Sequence, residues 1–272
     1  VNVQLPTTLP VSETTRLDTE DYCAENGAFS WYTGTIPTQL GLLTKVSYVD
    51  LSASCTFFSG SVPSQLGMLT AMAIYVYLYS NRLTGPTPTE LGKLTKLGSS
   101  ISLRDTLISG TVPTQLGMLT AMTNVMNLYN TRLTGPTPTE LGKLTKLGHS
   151  ISLRDTLISG TVPTQLGMLT AMTSFMSLYS TRLTGPTPTE LGKLTKLGDG
   201  ISLRDTLISG TVPTQLGMLT AMTSFMSLYS TRLTGPTPTE LGKLTKLGDS
   251  ISLRDTLISG TVPTQLGMLT AM

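Results

Sequence analysis

The chain has 272 residues, of which 12% are charged, with a formal net charge of +2. That balance argues against a nucleic-acid binder, which needs a clustered basic face. No apolar run approaches the roughly 20 residues that span a bilayer, so no membrane insertion is expected.

Residues 1–33 do not repeat and are acidic, with Asp18, Glu20, Asp21 and Glu25; they read as an N-terminal cap. From Gly34 the tetrapeptide Gly-x-x-Pro occurs ten times, first after 26 residues and then every 25. Residues 34–272 are therefore an array of about ten 25-residue coils that stops inside a repeat. The reading is of a fragment, since a solenoid needs a polar cap at each end. Coils alternate between two kinds, giving a larger unit of 50 residues. Within a coil, Met176 and Leu178 are two apart, the period of a strand with one buried face. Leu191, Leu194 and Leu197 are three apart, which suits a short 3₁₀ turn, and Gly192 argues against a full α-helix. One coil cannot enclose these leucines, but stacked coils can, with parallel strands about 4.8 Å apart.

Leu40-Gly41-x-Leu43-x-x-Val46-x-x-Val49-x-Leu51, Gly34-Thr35-Ile36-Pro37 and Leu78-x-x-Asn81-x-Leu83-x-Gly85 together form a recognisable pattern. It resembles the plant-type class of extracellular leucine-rich repeats, found in receptor-kinase ectodomains and polygalacturonase-inhibiting proteins. The resemblance runs from Gly34 to Met272. It implies an α/β-type repeat solenoid: a right-handed superhelix with one parallel sheet on the concave face and short 3₁₀ turns and loops on the convex face. It also implies a secreted or cell-surface module for a protein, peptide or glycan partner.

The chain departs from that class in four places. Later coils carry an extra residue between turn and strand, as between Met72 and Val76. The ladder asparagine survives only at Asn81; elsewhere it is threonine, as at Thr106, Thr131 and Thr181, so the loops should be held less tightly. Pro86, Pro136, Pro186 and Pro236 each remove a backbone N–H where the class forms a minor second sheet. That sheet is expected to break at every other coil. In the cap, only Cys23 and Trp31 match the class; Cys55 lies in an enlarged loop of the next coil. The similar stretches Trp31–Gly34 and Phe57–Gly60 should stack as neighbours, which predicts a Cys23–Cys55 disulfide and an oxidising compartment. Two buried free thiols are the alternative.

Chemistry finds no foothold. The single histidine, His149, occupies a site that is Ser99, Asp199 or Asp249 in sister coils. Triad, zinc and phosphate-loop patterns are absent from the sequence, and the acidic cap cluster fits no calcium-loop spacing. No enzyme, metal or cofactor is expected.

Three surfaces remain. After the strand leucine runs the row Tyr79, Arg104, Tyr129, Arg154, Tyr179, Arg204, Tyr229 and Arg254, the candidate ligand-binding strip of the concave face. The same row also reads as a self-satisfied ladder. On the convex side Met118, Met168 and Met218 alternate with Lys143, Lys193 and Lys243, a solvated ridge that leaves room for self-association. Glu140, Glu190 and Glu240 should offset those lysines. Threonines after the repeat proline, such as Thr89, Thr114 and Thr164, should cap the turns and bond local backbone. A matrix spacer is the second functional reading. An ice-binding threonine array is the third, although proline interrupts the neighbouring column.

Overall fold

The computed structural model describes residues 2–3, 16–18, 31–52 and 56–269. Cys23 and Cys55, and with them the expected disulfide, lie outside those residues. Each coil makes one circuit, for example through the strand Ser100–Ser102, the strand Leu107–Thr111 and the 3₁₀ turn Thr114–Met118. The next coil repeats it as Val125–Asn127, Arg132–Pro136 and Thr139–Lys143. Among the described residues the strands form two parallel sheets, one of ten strands and one of eleven, and the turns line the remaining side. Both sheets reach into the segment before Gly34, through Arg16–Asp18 and Asn2–Val3.

Aliphatic spacing dictates this circuit. Ile101, Leu103, Ile108, Val112, Leu116, Leu119 and Met122 all point inward, each at most 3% exposed. Pro113, held at φ −65° and ψ 133°, leads into the turn. Leu116 then donates its N–H to Pro113 O at 3.1 Å and Leu119 donates to Leu116 O at 3.2 Å, three residues back each time. Burying one such side chain contributes roughly 1.5–3 kcal/mol. Six of these seven positions are apolar in coil after coil in one continuous core, and the Val112 position is a buried threonine in the Pro-x-Pro coils, as at Thr137.

The glycine inside each turn is required by the neighbour. A Cβ added to Gly117 would lie 2.3 Å from Glu140 O and 2.7 Å from Glu140 Cβ, both in the next coil. Any side chain there would hold the two turns apart. The longer link between turn and strand also bonds from coil to coil. Thr123 donates both its N–H and its hydroxyl to Gly98 O at 2.8 Å, and Gly148 N donates to Thr123 O at 2.8 Å.

The second sheet is not broken at the Pro-x-Pro coils; it is continuous. Arg82–Pro86 pairs back through Ser59↔Arg82 and forward through Gly85↔Ile108 and Pro86↔Ser109. Successive strand residues turn their backbone groups to opposite neighbours. It is the glycine before the proline that faces the next coil, as where Ser259 N donates to Gly235 O at 2.9 Å. Proline ends its strand here and takes no forward rung away.

The expected stacking of Trp31–Gly34 on Phe57–Gly60 is observed, with Thr33↔Phe57 and Gly34↔Phe58 in register. Asn81 behaves as the class pattern implies. Its Nδ2 donates to Leu51 O at 2.7 Å, and its Oδ1 accepts from Phe58 N at 2.9 Å, so it grips the preceding coil at two points. Thr106 and Thr181 donate only to Leu103 O and Leu178 O of their own coils, each at 2.8 Å. The threonines after the repeat proline do not cap the turns as expected. The capping residues are prolines, and Thr89 and Thr114 instead donate to Glu90 Oε2 and Gln115 Oε1, each at 3.3 Å. Nor do Glu140, Glu190 and Glu240 pair with the lysines; Glu140 and Glu190 accept from the adjacent threonine.

Two substitutions test this packing by chemical denaturation. Gly167→Ala would place its Cβ 2.3 Å from Glu190 O and should cost about 3 kcal/mol or more. Met168→Ala, at a side chain 50% exposed, should stay within about 0.5 kcal/mol of the parent. Equal costs at the two sites would show that the turns do not stack this closely. Asn81→Thr should cost about 1–3 kcal/mol, because it leaves the buried Phe58 N–H without its acceptor.

Candidate recognition face

The ten-stranded sheet carries the tyrosine–arginine row, and the fold brings all eight residues into one line. Each follows a leucine just past the end of a short strand, buried in every case but the partly buried Leu253, so coil stacking sets the register. The Arg104 guanidinium carbon sits 4.3 Å from the Tyr79 ring centre and 5.7 Å from that of Tyr129. For Arg154 the distances to Tyr129 and Tyr179 are 3.9 and 5.4 Å, and for Arg204 to Tyr179 and Tyr229 they are 4.1 and 5.3 Å. Arg254 completes the row 4.5 Å from Tyr229. Each guanidinium also donates to the next phenol: Arg104 to Tyr129 at 2.9 Å, Arg154 to Tyr179 at 2.7 Å, and Arg204 to Tyr229.

Acidic partners are held alongside by the backbone. Asp105, Asp155 and Asp205 adopt left-handed φ of 55°, 53° and 52°, a region that Asp and Asn enter more readily than most residues. Their carboxylates lie 3.1, 2.8 and 3.3 Å from the arginines of the same coils. Asn130, also left-handed, donates to Asp105 Oδ1 at 2.7 Å. Burial works against the charge on Arg104, Arg154 and Arg204. Hydrogen bonds and charge attraction from the tyrosines and aspartates outweigh it and hold all three above the ordinary arginine value. The raised values keep all three guanidinium groups charged at neutral pH, and the linked stabilisation is lost as pH rises through them. The row is thus internally satisfied: its charges meet one another.

Beneath it the sheet is less complete. Ser102, Ser152 and Ser202, each at most 3% exposed, carry buried hydroxyls with no hydrogen-bond partner. They occur in the coils that carry the arginines. Around the last of them a shallow trough of about 450 Å³ is lined by residues that include Tyr179, Ser202, Arg204, Phe225 and Tyr229. A larger hollow of about 620 Å³ lies elsewhere, between Ile36, Val62 and Pro88 beside the first turns. At the N-terminal end of the same sheet Tyr75 stacks on Tyr77 at 4.2 Å and touches Tyr48 at 4.8 Å, while Tyr77 meets Tyr79 at 5.6 Å.

Comparing the duplicated units reveals residues that motif reading passes over. Units 110–159, 160–209 and 210–259 differ at six positions only: 124, 125, 127, 130, 149 and 150 and their counterparts. Asn124, Val125 and Asn127 become Ser174, Phe175 and Ser177; Asn130 becomes Ser180; His149 and Ser150 become Asp199 and Gly200. Five of the six fall on the ten-stranded sheet or at the edge where its strands begin, and the sixth, Asn130, follows Tyr129 just past the strand end. Val125 pairs with Ser150 across coils, and His149 N donates to Asn124 O at 3.2 Å, so the differences form one contiguous patch. Exposed methionines, lysines and arginines on the other sides are unchanged. The signal was present in the sequence, but only the fold shows that the six positions share a face.

Circuit, sheets and leucine pattern together define a leucine-rich-repeat solenoid. No family profile matches the sequence, and no curated protein does. Among solved structures, the plant peptide hormone receptor RGFR1 in complex with RGF2 is similar at a TM-score of 0.74 and 26% identity. That match covers 89% of this chain and 41% of the receptor. The Arabidopsis receptor kinase HAESA, in complex with the peptide hormone IDA and the co-receptor SERK1, gives 0.77 and 26% over 88% of this chain and 38% of its own. This chain therefore spans about two fifths of either receptor chain. A plant ice-binding protein gives 0.69 at 22% identity, covering 85% of this chain and 71% of that one, a likeness of fold alone.

Replacing Ser152 with alanine removes a buried hydroxyl that has no partner. Its thermal midpoint should match or exceed the parent's, by up to about 1 kcal/mol of added stability. A clear loss would show that the hydroxyl has a structural partner.

Proposed function

We propose that this chain is a recognition module, not a catalyst, whose ten-stranded sheet binds a protein or peptide partner outside the cell. The observation that carries this reading is where the near-identical units differ. Neutral drift would scatter changes over every side, yet all six lie in or directly beside the strands of one sheet, with Ser150 buried and the other five at least partly exposed in the first unit. A face that varies while its scaffold is repeated is one fitted to a partner. The spacer reading accounts for the repetition but not for this distribution. The turn threonines donate their hydroxyl protons to adjacent side chains, which leaves the ice-binding reading fewer donors for ordered water there.

The peptide-hormone complexes of the two similar receptors support a peptide as the partner class. No transmembrane-length apolar helix occurs among the described residues. The tyrosine–arginine row then serves as a rigid floor, since immobilised aromatic and arginine side chains lose little entropy on binding. The varied positions beside it supply discrimination.

Peptides selected from a random display library against the intact chain provide the test. Val125→Asp with Phe175→Asp should weaken the selected peptides at least about tenfold, as should Tyr179→Ala with Arg204→Ala. Met168→Ala with Lys193→Ala, on the turn side, should leave affinity unchanged. Peptides that are lost to the turn-side pair and retained by the sheet variants would refute the assignment.

A further inference from the structure

The ten-stranded sheet repeats at a step of two coils, and the step shows on both sides of its strands. In the coils that carry the tyrosines, a partly exposed apolar pair flanks the strand centre: Val125 with Tyr129, Phe175 with Tyr179, Phe225 with Tyr229. In the coils between them the same places hold Ser150 with Arg154 and Gly200 with Arg204. Register keeps the first column in line, through Val125↔Ser150, Phe175↔Gly200 and Gly200↔Phe225. The second column stays in line past the strand ends, where Asp155 N donates to Tyr179 O and Asp205 N to Tyr229 O, each at 3.1 Å. An apolar rib therefore crosses the sheet at every second coil.

The shared guanidinium groups set the step. Arg154 lies 3.9 Å from the Tyr129 ring and 5.4 Å from the Tyr179 ring, and Arg204 lies 4.1 and 5.3 Å from those of Tyr179 and Tyr229. Successive rings are thus at most about 9.4 Å apart, close to two strand spacings of about 4.7 Å. Between the two columns runs a floor of small hydroxyls, with Ser152, Ser177, Ser202 and Ser227 following one another in register. Ser152 and Ser202 are the buried hydroxyls without a partner, and Ser227, 9% exposed, makes no hydrogen bond among the described residues either. The trough at Ser202 and Ser227 is the gap between the Tyr179 and Tyr229 ribs. At the N-terminal end Tyr77 takes the floor position beside Ser102, so the open floor begins after it.

A partner stays in contact with successive ribs only if its own repeat matches their step. A β-strand returns a side chain to one face every two residues, about 6.7 Å, and falls out of step at the next rib. An α-helix has its carbonyls bonded internally and offers few acceptors to the floor hydroxyls. A polyproline II helix has three residues per turn and rises about 3.1 Å per residue, so every third side chain returns at about 9.3 Å. Its carbonyls are not bonded internally, and serine hydroxyls can donate to them. Proline brings no N–H for the floor to satisfy, and its ring packs against aromatic side chains. We propose that the peptide partner binds here as a polyproline II segment, with a proline at every third position seated between successive ribs. The inference rests on the recognition reading and adds the partner's conformation and its repeat. One turn of the peptide spans two coils of the protein.

The test uses the peptides selected by display against the intact chain. Their prolines should be enriched at intervals of three residues and not at intervals of two or four. The tightest of them is then titrated calorimetrically beside a copy with one alanine inserted between its prolines and a scrambled copy of equal composition. Both copies should bind about tenfold weaker or worse. Ser227→Tyr, which gives the floor the side chain found at Tyr77, should cost about tenfold, and Ser227→Ala about threefold to tenfold. The inserted alanine needs no change in the protein, so a folding defect in a variant leaves the test intact. Sheet-dependent peptides with no three-residue proline period, or with a two-residue one, would overturn this inference and leave the recognition reading standing. Undiminished binding of the inserted copy would do the same. A library that yields no binder dependent on the sheet would sink both.

Discussion

Contact between one 3₁₀ turn and the next sets the whole architecture. At Gly117 the backbone of the following coil approaches so closely that a Cβ would fall 2.3 Å from a carbonyl oxygen, and the same holds at Gly67, Gly167 and Gly217. That approach closes the turn side while two parallel sheets close the others. The leucines of each coil are dry only because coils lie against them on both sides. Every other regularity follows: the sheet registers and the row of tyrosines and arginines. Function on this scaffold is a matter of which side chains the stacking leaves outside.

The two sheets use that constraint in opposite ways. On the ten-stranded sheet, charge is consumed internally: Arg154 lies 3.9 Å from one tyrosine ring, hydrogen-bonds another and pairs with Asp155 at 2.8 Å. Such a row is rigid and close to neutral, and specificity falls to the positions beside it that differ between units. On the eleven-stranded sheet, Arg132 and Arg182 form no ion pair among the described residues and repeat without change.

Much of this was legible in the residues, because a 25-residue period admits few ways to hide a leucine stripe. The alternation at Met176 and Leu178 and the threefold spacing at Leu191, Leu194 and Leu197 both came through, whereas Asn81 holds the preceding coil and not the next one. The second sheet did not come through. Proline was read as a missing donor, and only the register shows that Gly85 faces the next coil while Pro86 ends its strand. Turn glycines were read through helix propensity, whereas their cause is a backbone in the adjacent coil, which no local window contains. The tyrosine–arginine contacts were anticipated, but their completion by left-handed aspartates depends on backbone angles that sequence does not display. The patch of differing residues escaped notice because adjacency across coils, 25 residues apart in sequence, becomes visible only in the fold.

Excising one repeat unit puts this nearest-neighbour account to its most direct test. Deleting residues 160–209 joins Ser159 to Gly210 and restores the sequence of a normal junction. Under equilibrium denaturation the shortened chain should keep its circular dichroism per residue and a single cooperative transition, with an m-value reduced in proportion to the length removed. Loss of the cooperative transition, or a chain that no longer gains secondary structure, would mean that the coils depend on more than the turns stacked directly against them.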